Sequence, residues 1–215
     1  MPQEAAAGTP PSSARPSSGA VGSRKPHRKG KISSIATALF ERQGYHATTM
    51  DDIASATGLN KATVYHYYSS KQEILYDIYA SGIDAILDRF AAQPGGLSPS
   101  EVVAASVTDV INVMAENISR TAVYYQERPF IARWFAPEVY AQVRMKEASY
   151  RQHVQEAVEA GIRIGVFRDV DARAAALTIL GAAGQTYQWY RPGGSLSIDE
   201  AAHTVRTVLL PGLLK

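Results

Sequence analysis

Apolar residues recur at helical spacing along most of the chain. The first such segment carries them at i, i+3, i+4, i+7 and i+8, as Ile32, Ile35, Ala36, Leu39 and Phe40. This spacing is typical of the buried face of an amphipathic helix. The helical pattern continues to the C-terminus without the strict alternation of a strand and without a long internal repeat. It predicts an all-α protein.

Glycine, proline and serine residues divide this pattern into about nine predicted helices. Gly44 ends the first helix, Gly58 ends a short second one, and Ser69-Ser70 separates the third from a longer fourth helix. Further breaks fall at residues 93–96, near Pro129, Pro137 and Gly165, and at residues 191–194. We therefore expect a small three-helix N-terminal domain followed by a larger helical domain.

Residues 48–68 carry the pattern of a helix-turn-helix. Thr49 and Asp52, three residues apart, predict a capping box at the start of the second helix. Gly58 suits the left-handed position that ends this helix, and Asn60 is placed to cap the third helix. The inward-facing positions are small or apolar: Ile53, Ala54, Leu59, Val64 and Tyr68. Two short helices joined by a three-residue turn with glycine form this motif.

The same packing leaves one face of the third helix exposed. Such a helix fits the major groove of B-DNA. Lys61 can meet a phosphate or a guanine edge, and Ala62 and His66 are placed for base contacts. Hydroxyl and ammonium groups for the phosphate backbone come from Thr63, Tyr65, Tyr67 and Lys71. The alternative is a helix-turn-helix shape inside an enzyme, with the tyrosines as core residues.

Charge is distributed unevenly along the chain. Residues 1–72 hold nine basic and four acidic residues, whereas residues 73–215 hold thirteen basic and sixteen acidic residues. A basic N-terminal part on a mildly acidic body is typical of a protein that meets a polyanion at one end.

The helix-turn-helix region resembles the DNA-binding domain of the TetR/AcrR family of transcriptional regulators. The matching residues lie at family spacing: Ile35-Ala36, Leu39-Phe40, Gly44-Tyr45, Thr48-Thr49-Met50, Ile53-Ala54, Gly58, Thr63 to Lys71, and Ile74-Leu75. Tyr68 departs modestly, because phenylalanine is more usual there. The resemblance implies that Ala62 and His66 lie near the bases. It implies phosphate contacts for Thr49, Lys61, Thr63, Tyr65, Tyr67 and Lys71.

The resemblance also implies the domain organisation. Residues 1–23, rich in Pro, Ala, Ser and Gly, form a predicted disordered tail. Residues 24–70 form a basic arm and the helix-turn-helix domain, and residues 71–215 a ligand-binding and dimerisation domain. Five of the eight residues 24–31 are basic. In similar proteins such arms reach the minor groove or follow phosphates. The alternative is a solvated, flexible tail.

A homodimer follows from the helix-turn-helix, because such proteins bind near-palindromic double-stranded operators as two-fold dimers. In TetR-like proteins the last two helices of each protomer form a four-helix bundle. Small and apolar residues at helical spacing indicate the seam here: Leu177, Gly181, Gly184, Val205, Val208 and Leu209. Alternatively, these faces pack only within the monomer.

Aromatic residues concentrate in the middle of the chain and predict a pocket for a small-molecule inducer, although ordinary core packing explains part of the set. The residues are Tyr124, Tyr125, Phe130, Trp134, Tyr140 and Tyr150, with arginines among them. By resemblance, a ligand there moves the connecting helix over residues 71–91 and releases the DNA.

A narrower resemblance concerns the ligand. Residues 159–168 and 188–197 look like the C-terminal region of TetR-type repressors of fatty-acid and steroid catabolism, several of which respond to acyl-CoA thioesters. No Arg or Lys lies between Arg173 and Arg191, which leaves few partners for CoA phosphates on that helix. The rival inducer is an uncharged hydrophobic molecule.

Other classes of protein find little support in the sequence. The chain has no cysteine, no metal-ligand spacing among its five histidines, and none of the common nucleophile or nucleotide-binding motifs. We therefore expect no enzyme, no metal and no cofactor. The chain has no secretion signal and no membrane-length apolar run, so we expect a cytoplasmic protein. A transcriptional activator or a non-specific DNA binder remains an alternative to a repressor.

Overall fold

A computed structural model describes the backbone of residues 24–215 and the side chains of residues 27–215, so the predicted tail over residues 1–23 lies outside the described residues. Ten α-helices cover most of the described chain: α1 (Arg24–Gln43), α2 (Met50–Thr57), α3 (Lys61–Tyr67), α4 (Lys71–Ala91), α5 (Pro99–Glu116), α6 (Ile118–Glu127), α7 (Ile131–Trp134), α8 (Pro137–Arg163), α9 (Ala172–Gly184) and α10 (Ile198–Leu213).

The all-α class is therefore confirmed. A short 3-10 helix (Gln185–Gln188) follows α9, and the one isolated β-bridge within residues 24–215 joins Phe167 and Leu214. The count exceeds the expected nine by one α-helix, because the predicted helix before Pro129 divides at Asn117 into α5 and α6, where no glycine or proline marks the break. None of the helices within residues 24–215 combines the length and the apolar content needed to cross a bilayer.

The basic segment over residues 24–31 is helical, whereas the spacing of apolar residues marks the first helix only from Ile32. α1 begins at Arg24 and includes these residues as its first two turns. Two basic side chains bind within the protein: the Lys29 ammonium lies 3.1 Å from the Asp77 carboxylate, and Lys31 donates to the Thr57 carbonyl at 3.1 Å. The spacing of apolar residues does not predict these turns, because Arg and Lys favour a helix but add no apolar position to the pattern.

The predicted helix-turn-helix is confirmed in its local geometry. The Thr49 side chain accepts from the Asp52 amide, and the Asp52 carboxylate accepts from the Thr49 amide at 2.8 Å. Gly58 ends α2 with φ of 67°, a left-handed conformation that a side chain rarely adopts. The Asn60 side chain then caps α3 by accepting from the Thr63 amide at 2.7 Å.

Two hydrophobic clusters hold the chain together. The first contains buried apolar residues of α1, α2, α3 and the N-terminal part of α4, and also Val123, Ile131, Phe135 and Val143 from the larger part of the chain. The N-terminal helices are therefore packed directly against α6, α7 and α8. The second cluster joins the C-terminal end of α4 to α5, α8, α9 and α10, with Phe167 fully buried among them.

Candidate functional site

The outer surface of α3 is open to solvent in the way the pattern predicts. Val64 and Tyr68 are fully buried, because they hold α3 against the first hydrophobic cluster. Tyr65 is 43% exposed. Of the remaining predicted DNA contacts near α3, Lys61, Ala62, His66 and the cap residue Thr49 are exposed, whereas Thr63 and Tyr67 are half-buried.

Several of these polar groups already have partners. The Lys61 ammonium pairs with the Asp51 carboxylate at 2.7 Å, and this hydrogen bond raises the pKa of Lys61. The Thr63 hydroxyl donates to the Asn60 side chain at 2.7 Å, and the Thr49 hydroxyl donates to Asp52 at 2.7 Å. Three side chains that are predicted to donate hydrogen bonds to DNA phosphates are therefore bound to other residues of the helix-turn-helix: Lys61 to Asp51, Thr63 to Asn60 and Thr49 to Asp52. These bonds fix the positions of these side chains.

Lys71 occupies a different position from the other predicted contacts. Its ammonium donates to the backbone carbonyls of Tyr45, His46 and Thr48 at 2.7, 3.2 and 2.6 Å, and lies 4.4 Å from the centre of the Tyr45 ring. Burial lowers the pKa of Lys71. The structure therefore places Lys71 beneath the turn between α1 and α2, where it satisfies carbonyls that no helix pairs, rather than on the outer surface of α3.

A cavity of about 780 Å³ lies between α4, α5, α6, α8 and α9. Its wall is largely aliphatic and includes Ile78, Ile83, Ile86, Val110, Val113, Met114, Leu177 and Leu180. The volume falls within the range of sites for small molecules, ~300–1,000 Å³. Three of the six predicted pocket residues line it: Tyr124, Tyr125 and Tyr150.

The other three predicted pocket residues, Phe130, Trp134 and Tyr140, lie elsewhere. Phe130 is 45% exposed at the turn between α6 and α7. Trp134 and Tyr140 pack against the first hydrophobic cluster instead of the cavity. An aromatic-rich stretch does not specify which neighbour each ring contacts, and the short helix α7 turns the Trp134 ring towards the N-terminal helices.

Trp134 belongs to a contact between the larger part of the chain and the helix-turn-helix. Its ring lies 5.3 Å from that of Tyr45 and stacks 5.7 Å from that of His46. The buried carboxylate of Glu127, at the end of α6, accepts from the Trp134 indole at 3.2 Å and from the Tyr45 amide at 3.3 Å. Burial and the Glu127 charge together raise the pKa of Tyr45 to about 12.

Five arginines and one glutamate also line the cavity: Arg120, Arg128, Arg144, Arg151, Arg173 and Glu147. The sequence patterns gave no sign that Arg120, Arg173 and Glu147 would join the aromatic residues. Buried Glu147 accepts from the Tyr124 hydroxyl at 2.7 Å and from Arg128 at 3.0 and 3.1 Å. Burial raises the pKa of Tyr125 to about 12, so its phenol stays protonated at neutral pH.

The residues predicted for the dimer seam divide into two groups. Leu177 and Val208 are 52% and 71% exposed in the protomer. The other four have neighbours within the protomer. Val205 and Leu209 pack on the second cluster, and Gly181 and Gly184 line the cavity, as Leu177 also does. A Cβ on Gly184 would lie 1.9 Å from the Tyr125 hydroxyl, so this glycine accommodates a residue of its own chain.

Comparisons with known families cover nearly the whole described chain. Residues 32–78 match the bacterial regulatory proteins of the tetR family, and residues 96–213 match the tetracyclin repressor-like C-terminal domain. The HTH-type transcriptional repressor KstR2 of Rhodococcus jostii (strain RHA1) is 30% identical over 193 residues, which is 89% of this chain and 93% of the relative.

Solved structures agree with these matches. A transcriptional regulator of the TetR/AcrR family from Thermobifida fusca YX-ER1 shows 35% identity and a TM-score of 0.63, over 88% of this chain and 100% of its own. AibR in complex with isovaleryl coenzyme A and operator DNA shows 25% identity and a TM-score of 0.73, over 86% of this chain and 98% of its own.

Proposed function

The chain belongs to the TetR family of bacterial transcriptional regulators, and from this premise we propose that it is a homodimeric repressor whose hold on a near-palindromic operator is released by a small ligand in the cavity. The proposal rests on one observation: the same chain has both a helix α3 with an exposed outer face and a large apolar cavity. Such a regulator acts on chromosomal DNA in the cytoplasm.

The geometry of α3 supports DNA recognition. Lys61, Ala62 and His66 are exposed side by side on α3, while Val64 and Tyr68 anchor its opposite face. Phosphate contacts orient a protein on DNA, and contacts to base edges select the sequence. We assign the hydroxyls of Tyr65 and Tyr67 to phosphates and the side chains of Ala62 and His66 to bases. Two copies of α3 in a dimer would read two half-sites in successive major grooves.

The cavity supports ligand control. Its aliphatic walls suit a hydrophobic or acyl-CoA-like molecule, and AibR, a structural relative, binds isovaleryl coenzyme A and operator DNA. A ligand can release DNA only by binding more tightly to the conformation that does not fit the operator.

Helix α6 supplies a physical connection between the two sites. Tyr124 and Tyr125 on this helix line the cavity, while Glu127, one turn later, binds the Tyr45 amide beside the helix-turn-helix. A ligand that displaces α6 would therefore also displace the turn between α1 and α2. Helix α4 offers a second connection, because Ile78 and Ile83 line the cavity and Lys71 holds the same turn.

A fluorescence-anisotropy titration at physiological salt tests the proposal. It compares DNA from upstream of the protein's own gene with a scrambled duplex of equal length. We expect a preference of about 10³-fold or more for the first, with two protomers per duplex. Equal and weak binding to both, followed by a random-library selection that enriches no sequence, would refute a specific regulator.

A further inference from the structure

The cavity carries more positive charge than its own residues neutralise. Its five arginines face one carboxylate, which leaves four positive charges in excess on an otherwise largely apolar wall. Arg128 and Arg144 both bind that carboxylate, Glu147, with nitrogen–oxygen distances of 3.0 and 3.3 Å. The other three cavity arginines have no carboxylate within 4.0 Å among the described residues. Arg173 is exposed to solvent, whereas Arg120 and Arg151 are half-buried.

Arg151 is the less satisfied of these two arginines. It is half-buried on α8, and its Nε atom is buried with no hydrogen-bond partner in the described part of the chain. A buried donor without an acceptor destabilises a folded protein, more so when it carries charge. An acceptor supplied by a bound molecule would remove this cost.

Arg120 stands in a similar environment on α6. Its side chain lies across Gly82 of α4, where its Nε would be 3.6 Å from an added Cβ, an ordinary van der Waals distance. The one hydrogen bond found for this guanidinium within residues 27–215 is a long one, 3.5 Å to the Val113 carbonyl. Burial lowers the pKa of Arg120, although the charge of Glu116 opposes this shift.

We propose that the ligand is an amphipathic anion, whose apolar part lies against the aliphatic wall and whose acidic oxygens are bound by Arg151 and Arg120. This rests on the proposed function of the cavity as the ligand site, and it narrows the ligand to molecules with a carboxylate or phosphate. A neutral hydrophobic molecule would bury both guanidinium groups further without offering an anionic acceptor. A free carboxylic acid and a CoA thioester share the required chemistry.

Isothermal titration calorimetry on the full-length protein without DNA tests this proposal, with decanoate, 1-decanol, decanoyl-CoA and coenzyme A as probes. We expect decanoate or decanoyl-CoA to bind roughly tenfold or more tightly than decanol, as the loss of one charge-assisted hydrogen bond implies. Binding of decanoate marks a carboxylate ligand, and binding of decanoyl-CoA alone marks a thioester whose phosphates reach the arginines.

The variants Arg151→Gln and Arg120→Gln, singly and together, should lose most of that preference while still binding decanol. Arg163→Gln, an exposed arginine at the end of the same helix as Arg151, is the matched control and should bind all probes like the wild type. If the double variant unfolds, the affinities of the two single variants for the probes are compared with those of the wild type instead. Equal affinity for decanol and the anions, anion binding unaltered in the variants, or no binding of any probe would overturn the proposal. Because no DNA is present, a failure of operator binding leaves these results intact.

Discussion

At the scale of single residues, α3 presents neighbouring side chains with different tasks. Tyr65 and His66 are adjacent and exposed, yet a phenol suits a phosphate oxygen and an imidazole suits a base edge. Their separate roles can be distinguished because loss of a phosphate contact weakens binding to every sequence, whereas loss of a base contact changes the order of preference among sequences.

We therefore predict that Tyr65→Phe weakens binding to operator and scrambled DNA alike, by about 1.5 kcal/mol or roughly tenfold. His66→Ala should instead alter preference at one operator position more than overall affinity. Anisotropy titrations on single-base operator variants measure both effects. Tyr140→Phe removes a hydroxyl away from α3 and should change neither. A Tyr65→Phe variant with wild-type affinity would contradict the phosphate contact.

A second residue-scale prediction concerns close packing at a glycine. A Cβ on Gly161 would lie 2.0 Å from the ring of Phe167, which is fully buried. Gly161→Ala should therefore lower the free energy of unfolding by about 1–3 kcal/mol, measured by urea denaturation. Gly30→Ala is the control on α1, because nothing lies within 4 Å of its added Cβ. It should be neutral or slightly stabilising, since alanine favours the helix.

At the scale of elements, Lys71 connects the start of α4 to the turn between α1 and α2. Lys71→Met removes three hydrogen bonds to backbone carbonyls. We predict a lower thermal midpoint, with a loss of about 1–3 kcal/mol for the unpaired carbonyls. The salt dependence of DNA binding decides between this role and a phosphate contact. A phosphate contact would reduce the slope of log K against log salt by ~0.9 and leave the stability unchanged.

His153 connects α8 to the loop after α4, and its burial has a consequence for pH. The ring stacks on Phe90 at 4.4 Å, and Nε2 lies 3.2 Å from the Gln93 side chain oxygen. Burial lowers the pKa of His153, although Glu156 and Asp109 oppose this shift. The folded state therefore binds a proton less readily than the unfolded state.

The contribution of His153 to stability is present above its unfolded pKa of about 6.5 and is lost as the pH falls through its lower folded pKa. We predict that the free energy of unfolding of the wild type falls between about pH 7.5 and pH 5, within this window. His153→Gln should show a smaller fall. Denaturation curves at both pH values measure the difference, and identical pH dependence in the two proteins would rule out the effect.

At the scale of the whole molecule, the exposed apolar side chains of α9 and α10 bear on assembly. If the last two helices form the dimer seam, a charge at Val208 would be buried without a partner. Val208→Asp should therefore produce a monomer in sedimentation velocity and abolish cooperative operator binding. Met145, also strongly exposed but on α8, supplies the control Met145→Asp, which should remain dimeric. A dimeric Val208→Asp variant would place the seam elsewhere.

The helix-turn-helix was predictable from the sequence in detail, because its signals are local. Thr49 and Asp52 cap α2 across three residues, Gly58 ends it through its own backbone freedom, and Asn60 caps α3 across the next turn. Each interaction lies within one helical turn, so neighbouring residue types suffice to specify it.

What the tertiary structure decided is the partner of each long-range contact. The sequence pattern grouped Trp134 and Tyr124 in one predicted pocket, but only the fold turns one ring towards Tyr45 and the other towards the cavity. In the same way, it brings Lys71 beneath a turn more than twenty residues away and Gly184 against Tyr125. Hydrophobic burial is not directional, so a local pattern records that a side chain is buried, whereas the packing of distant helices selects what it touches.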